Sequence, residues 1–345
     1  MSRARVSRSS RRNRAGFTLI ELMLAVTMLS IVIYMTLDSL TRQQKTSITT
    51  EQIVEVQQNV RALAALLERE IRMAGFMVPD AVGVCGVDAT TGPDQLFVSE
   101  TEMIVPDDER AGDLGSRVSN WDRTWTPSTT NHSLTVDSTD LDDDGVYFYD
   151  NDGDGTPEAD FRVGAGFILA DMNNPQRGTV CGTVSAASNS GVTVRILAGQ
   201  LDALVVGDAD EEIVMVPAAH YAIDTTATTG RLERNGDLLA HGIDDFQVSY
   251  FYDMDDDGVI DSAAAENPGV DTTTFDPSDW PNDLLKEVQF TVVVRTRAND
   301  PNYDQGSFIR FENRVAPTPA VNDGFRRRVI VASVRPRNIG NSGSI

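Results

Sequence analysis

Ala15-Gly16-Phe17-Thr18-Leu19-Ile20-Glu21-Leu22 opens an apolar run that reaches Leu37, and its reading decides the architecture. Ahead of it stand Arg3, Arg5, Arg8, Arg11, Arg12 and Arg14, with no acidic residue among them. As an α-helix, residues 17–37 would span about 31 Å, enough to cross the hydrocarbon core of a bilayer. The basic flank predicts an N-terminus kept on the cytoplasmic side and an exported remainder. Glu21 carries the only formal charge within the run. A carboxylate in hydrocarbon is costly without a partner, so Glu21 reads as a functional residue.

An ordinary secretory signal has a shorter apolar stretch followed by a small-residue cleavage site. Here the small residue, Gly16, precedes the run, and cleavage there leaves the hydrophobic helix on the mature protein. The basic leader, Gly16 and Phe17-Thr18-Leu19-Ile20-Glu21 closely resemble the class III signal of type IV prepilins and pseudopilins. That resemblance implies cleavage between Gly16 and Phe17 by prepilin peptidase and N-methylation of the Phe17 amine. It also implies that Glu21 pairs with the N-terminal amine of a neighbouring subunit in a filament. Two groups that are costly alone in an apolar bundle compensate each other and set the register between helices. A plain signal-anchor helix is the alternative reading.

The helical pattern does not stop at Leu37. Asp38 and Arg42 mark the membrane edge. Ile53, Val56, Val60, Leu63, Leu67, Ile71 and Ala74 then recur at steps of three and four, which lays one apolar stripe along a helix. Gly75 is a stop signal and Pro79 prevents resumption. One helix is therefore expected from Phe17 to about Ala74. No proline lies between those residues, so the kink that many major pilins carry there is not expected.

Over 345 residues, 52 acidic against 29 basic side chains give a net charge of −23. Losing the six leader arginines takes this to −29. Such a field repels phosphate backbones and argues against nucleic acid as a partner, while it suits a secreted or calcium-exposed protein. The two cysteines, Cys85 and Cys181, are expected to form one disulfide in an oxidising periplasm, the alternative being two separate buried thiols.

Beyond Gly75 short β-rich runs alternate with Gly, Pro, Asn and Asp. Candidate strands are 96–99, 103–105, 146–149, 161–170, 179–184, 192–197 and 213–216. Period-two alternation places Phe246, Val248, Tyr250 and Tyr252 on one face and Val288, Phe290, Val292 and Val294 on another. Residues 329–334 read as a buried strand near the C-terminus. Insertions at 106–132, 262–285 and 317–324 read as surface loops. Four blocks resemble PilW-type minor pilins: residues 67–76, residues 241–250, residues 286–297 and Arg335-Pro336-Arg337-Asn338. The fold class expected is α+β: the long N-terminal helix of the type IV pilin fold packed against a β-sheet-rich globular head. In domain terms, 1–16 is a cleaved leader, 17–75 the helix with 17–37 transmembrane, and 76–345 the periplasmic or extracellular head.

Two aspartate loops form an internal repeat. Tyr147-Phe148-Tyr149 feeds Asp150, Asp152 and Asp154, and Tyr250-Phe251-Tyr252 feeds Asp253, Asp255 and Asp257, each set closed by a glycine. Alternate carboxylates at this spacing suit calcium, with Glu158 and Asp261 at the ninth loop position. The twelfth position is Phe161 or Ala264 instead of glutamate, so affinity is expected near the weak extracellular range of about 10⁻⁴–10⁻³ M. A solvated Asp/Gly turn is the alternative.

The three histidines fall in no metalloprotease pattern, and neither a nucleophile elbow nor a phosphate-binding loop is present, so no enzyme is expected. The resemblance implies a structural minor pilin in the tip or priming complex of a type IV pilus. Its partners would be prepilin peptidase, other minor and major pilins, the pilus assembly machinery and a large tip adhesin. It would sit in the inner membrane before assembly and at the cell surface after it. A J-type pseudopilin of a type II secretion system is the runner-up, and a calcium-dependent adhesive module is the second alternative.

Overall fold

The structure is a computed structural model. It describes residues 17–76, 78–89, 91–100, 116–121, 125, 127–136, 148–149, 158–159, 161–173, 178–188, 191–199, 212–224, 226, 230–253, 259–260, 284–300, 303 and 323–339. The chain divides into two compact units, Met1–Ile53 and Val54–Ile345. The boundary falls inside the single helix α1, Leu19–Met73, so the last part of that helix belongs to the head.

In the first unit α1 is continuous, and its most apolar 18-residue window has a mean hydropathy of 2.1 with none of it buried in the protein. Hydroxyls in this apolar stretch are satisfied by the helix itself. Thr27 donates to the carbonyl of Leu24, Ser30 to that of Val26 and Thr36 to that of Val32. Arg42 pairs with Asp38 at 2.9 Å one turn apart, at the end of the apolar run.

In the second unit Val56, Val60, Leu63, Ala64, Leu67 and Ile71 are buried, which is the expected stripe. Leu67 and Ile71 are fully enclosed in the head's core, and each contributes the roughly 1.5–3 kcal/mol of a buried aliphatic side chain. The helix ends as its sequence dictates: Gly75 adopts φ +78° and the amide of Phe76 donates to the carbonyl of Met73 at 3.0 Å.

A 3₁₀ turn at Asp80–Val82 leads into the strands β1 Val84–Val87, β2 Gln95–Ser99, β3 Ser116–Arg117, β4 His132–Thr135, β5 Phe148–Tyr149 and β6 Glu158–Ala159. There follow β7 Gly166–Asp171, β8 Thr179–Ser188, β9 Gly191–Ala198, β10 Ile213–Asp224, β11 Arg231–Arg234 and β12 Asp237–His241. The last three are β13 Ile243–Tyr252, β14 Leu285–Arg295 and β15 Arg327–Val334. A ten-stranded sheet runs β1-β2-β10-β7-β8-β9-β4, with β11, β12 and β3 attached through β10. β13-β14-β15 form a second sheet and β5-β6 a small ribbon. Among the described residues every pairing is antiparallel.

The helix-plus-β-rich-head class is borne out. The strand readings need four corrections, the first being that the strand expected over 161–170 begins only at Gly166, because residues 161–165 form a turn. Phe246, Val248 and Tyr250 lie directly opposite Val292, Phe290 and Val288, so the two apolar rows form one face of one sheet. Residues 329–334 do form a strand, but its side chains are largely half-buried or exposed, because among the described residues β15 pairs with β14 alone. The 106–132 insertion is not all loop: β3 pairs with β10, Trp121 meets Trp125 edge-on, and Trp125 stacks on His132. Candidate strand 103–105 lies outside the described residues.

Cys85 on β1 and Cys181 on β8 form a disulfide with Cα atoms 6.2 Å apart, both fully buried. The bridge therefore fastens the β1 end of the large sheet to its other arm.

Candidate functional site

The amino-terminal motif is built from local chemistry. Thr18 is the N-cap of α1: the Glu21 amide donates to its Oγ1 at 3.3 Å, and the Thr18 amide donates back to Glu21 Oε2 at 2.9 Å. This reciprocal pair is a capping box, and Thr18 Oγ1 adds a third bond to the same carboxylate oxygen at 3.0 Å. The T-x-x-E spacing was present in the sequence, but the membrane reading of Glu21 hid it. Glu21 thus has two roles available on one side chain. In this single chain it closes the helix start, and its second oxygen and exposed position leave it accessible to a neighbour. Phe17 is 89% exposed. Gly16 lies outside the described residues.

The other end of α1 is held by the C-terminus of the chain. The Arg337 amide donates to the carbonyl of Arg72 at 3.1 Å, and Asn338 Nδ2 donates to the carbonyl of Met73 at 3.3 Å. These are carbonyls that a helix cannot satisfy itself. Ile339 is buried against this end, and a Cβ on Gly75 would stand 2.7 Å from Ile339 Cγ1.

One turn earlier, Glu70 points into an ionic cluster. Arg234 on β11 lies 3.3 Å from Glu70, pairs with Glu100 and donates to the Tyr221 hydroxyl at 3.2 Å. Tyr221 in turn donates to Glu70. Burial pushes the Glu70 carboxyl above its ordinary value, against the pull of Tyr221 and Arg234. Glu100 also accepts from Asn235, whose φ of +56° with Gly236 at +85° makes the β11–β12 hairpin turn. Asn-Gly is the strongest short hairpin signal, and it was legible at residues 235–236.

A second junction joins the two sheets. The Asp94 amide donates to the Phe246 carbonyl at 2.8 Å, and its carboxylate accepts from Val248 and Ala89. Burial raises this carboxyl to about 7. His220 is packed flat on Phe97 with its Nε2 2.7 Å from Gln95, and burial lowers it to about 4, so it is a neutral structural residue.

The aspartate loops are only partly visible. Asp150, Asp152, Asp154, Asp255, Asp257 and Asp261 lie outside the described residues. β5 and β6 pair Tyr149 with Glu158, which brings the two ends of the first loop together. Asp253, at the start of the second loop, is fully buried with Lys286 Nζ 3.8 Å away and its amide on the Leu284 carbonyl. Among the described residues no group of three His, Cys, Asp or Glu is arranged to hold a metal.

A helix that begins in a capped Phe-Thr-x-x-Glu motif, runs on as a membrane-length apolar segment and ends in a β-rich head is the arrangement that the resemblance to type IV pilins implies. Residues 11–35 match the prokaryotic N-terminal methylation motif. Residues 218–338 match the type IV pilus-assembly protein W family, from β10 to the asparagine that caps α1. The second match bears out the resemblance to PilW-type minor pilins, and the first bears out the N-terminal motif. A type IV-like pilin from Thermus thermophilus is similar at 11% identity with a TM-score of 0.29, covering 83% of this chain and 97% of that one. No curated protein matches. The methylation motif thus overlaps the start of a helix long and apolar enough to cross a membrane.

Proposed function

We propose that this chain is a structural minor pilin that takes part in type IV pilus assembly, in the tip or priming complex. The observation that carries the reading is the methylation motif joined without interruption to a 55-residue helix whose apolar first part is left exposed. Such a helix is an assembly element: prepilin peptidase removes residues 1–16, Phe17 is methylated, and the exposed stripe packs among the helices of other pilins. Glu21 leaves its capping box, or shares its second oxygen, to receive the methylated amine of a neighbour. Motility, adhesion and contact with a tip adhesin follow from that position, and no catalytic step is invoked.

Gly16→Ala should block leader removal, and Glu21→Ala should be processed yet enter filaments poorly. Normal processing and piliation of Gly16→Ala would overturn the reading. Loss of protein secretion with pili intact on deletion would favour the J-type pseudopilin alternative.

Calcium is proposed for the first aspartate loop, Asp150, Asp152, Asp154 and Glu158, because the β5–β6 ribbon brings its two ends together. The second loop, Asp253 to Asp261, is the weaker candidate, since the Asp253 carboxylate already has Lys286 beside it. Calcium titration of the full chain in detergent, followed by melting, tests this. No change at millimolar calcium removes the proposal.

A further inference from the structure

The three-stranded sheet has two edges, and they are treated differently. The β13 edge is covered at its middle, where the outward carbonyl of Phe246 and the outward amide of Val248 are both taken by Asp94. At the β15 edge no further strand pairs among the described residues. The Thr296 amide donates to the Arg326 carbonyl at 2.9 Å, which fixes the alternation of the β14–β15 ladder. Residues 328, 330, 332 and 334 therefore turn their backbone groups to β14, and Val329, Val331 and Ser333 turn theirs away from it. Val331 is 52% exposed, Ser333 is exposed and Val329 is half-buried, so the outer row reaches the surface over its second half. A long edge of this kind is a template for another strand unless it is blocked.

Charge says what fits it. Residues 326–337 hold five arginines and no carboxylate, in a chain of net charge −23. Arg326 and Arg327 are engaged by Asp300, Asp244 and Asp323. Arg328 is exposed, and Arg335 is 74% exposed with Glu287 3.6 Å away. Pairing with a second β15 would set Arg327 of each copy opposite Arg335 of the other in an antiparallel register centred on Val331, and like charges directly opposite are destabilising. The edge therefore discriminates against itself and in favour of negative charge.

We propose that the outer edge of β15 is a docking site for an extended, acidic segment of another polypeptide, which adds to the sheet as a fourth strand. Main-chain bonds to Val329, Val331 and Ser333 supply the affinity, and carboxylates facing Arg328 supply the selectivity. An apolar side chain of the incoming strand covers Val331. The site lies directly before the residues that cap α1, Arg337 and Asn338.

The test uses the full chain in detergent and a ten-residue peptide of alternating valine and glutamate. Amide exchange at Val329, Val331 and Ser333 should slow on binding. A valine–lysine peptide, and the acidic peptide N-methylated at alternate backbone nitrogens, should give no protection. Val331→Pro removes an amide that faces away from β14, which an edge strand tolerates, and should weaken binding about tenfold with the β14 amides still protected. Arg328→Glu should reverse the preference towards the lysine peptide, a readout that does not depend on the proline variant folding. Equal binding of the lysine or N-methylated peptide, no slowing with any peptide, or outer amides already protected by self-association would each overturn the proposal.

Discussion

Replacing Arg234 by methionine removes the cation from a site that encloses two carboxylates. The side chains of Glu70 and Glu100 are 12% and 7% exposed, and Arg234 bridges them from β11. Removing one partner of a buried ionic cluster costs about 3–5 kcal/mol, because the remaining charges stay desolvated. At roughly 2–3 °C per kcal/mol for a domain of this size, melting should fall by roughly 6–15 °C. The sign of the pH dependence follows from Glu70, whose folded-state carboxyl lies above its unfolded value through burial. Such a group contributes most when protonated, and that contribution is lost as pH rises through the folded value. Without Arg234 the upward shift grows, so the deficit should shrink as the pH is lowered through the folded-state value of Glu70. Adding Glu70→Gln and Glu100→Gln to Arg234→Met should recover much of the loss, since a neutral cluster carries no stranded charge. Differential scanning calorimetry across pH measures all three. A deficit that neither lower pH nor the two glutamines relieves would refute the reasoning.

Cys85→Ser with Cys181→Ser opens a bridge between residues 96 apart and should cost about 4–5 kcal/mol in urea unfolding, by the chain-entropy relation. Gly75→Ala forces a side chain into φ +78° and against Ile339 and the Asn338 carbonyl, and should destabilise by more than the roughly 1–2 kcal/mol of the backbone conformation alone. Asn338→Ala, which only removes a cap, should cost about 1 kcal/mol, and amide exchange over residues 66–74 ranks the two. Asp94→Asn should flatten a pH slope: the wild-type carboxyl titrates near 7 when folded against 3.8 when free, so its share of stability falls as pH rises between those values. Urea midpoints that move in parallel for both proteins over that range would contradict it.

Much of this was written locally in the sequence. The stripe from Val56 to Ile71, the stop at Gly75 and the strand cores at 96–99, 179–184 and 246–252 follow from periodicity and turn chemistry, and all lie where expected. Other features depend on contacts far along the chain. Nothing near Arg337 or Asn338 announces a cap for a helix that ends some 260 residues earlier. The run 329–334 has a buried strand's composition, and only its place at a sheet edge exposes it. Residues 1–16 and most of the aspartates of the two loops fall outside the described residues. Glu21 is the instructive case: hydropathy marked it as functional, and the capping box with Thr18 explains how the lone chain accommodates it.

The central claim is that the apolar helix is retained as a filament element after removal of the leader. Intact-mass and N-terminal fragment analysis of the protein recovered from sheared surface filaments tests it most directly. The account predicts a chain that begins at N-methylated Phe17 and keeps residues 17–37. A chain that begins at Met1, or one cleaved after Leu37, would contradict it.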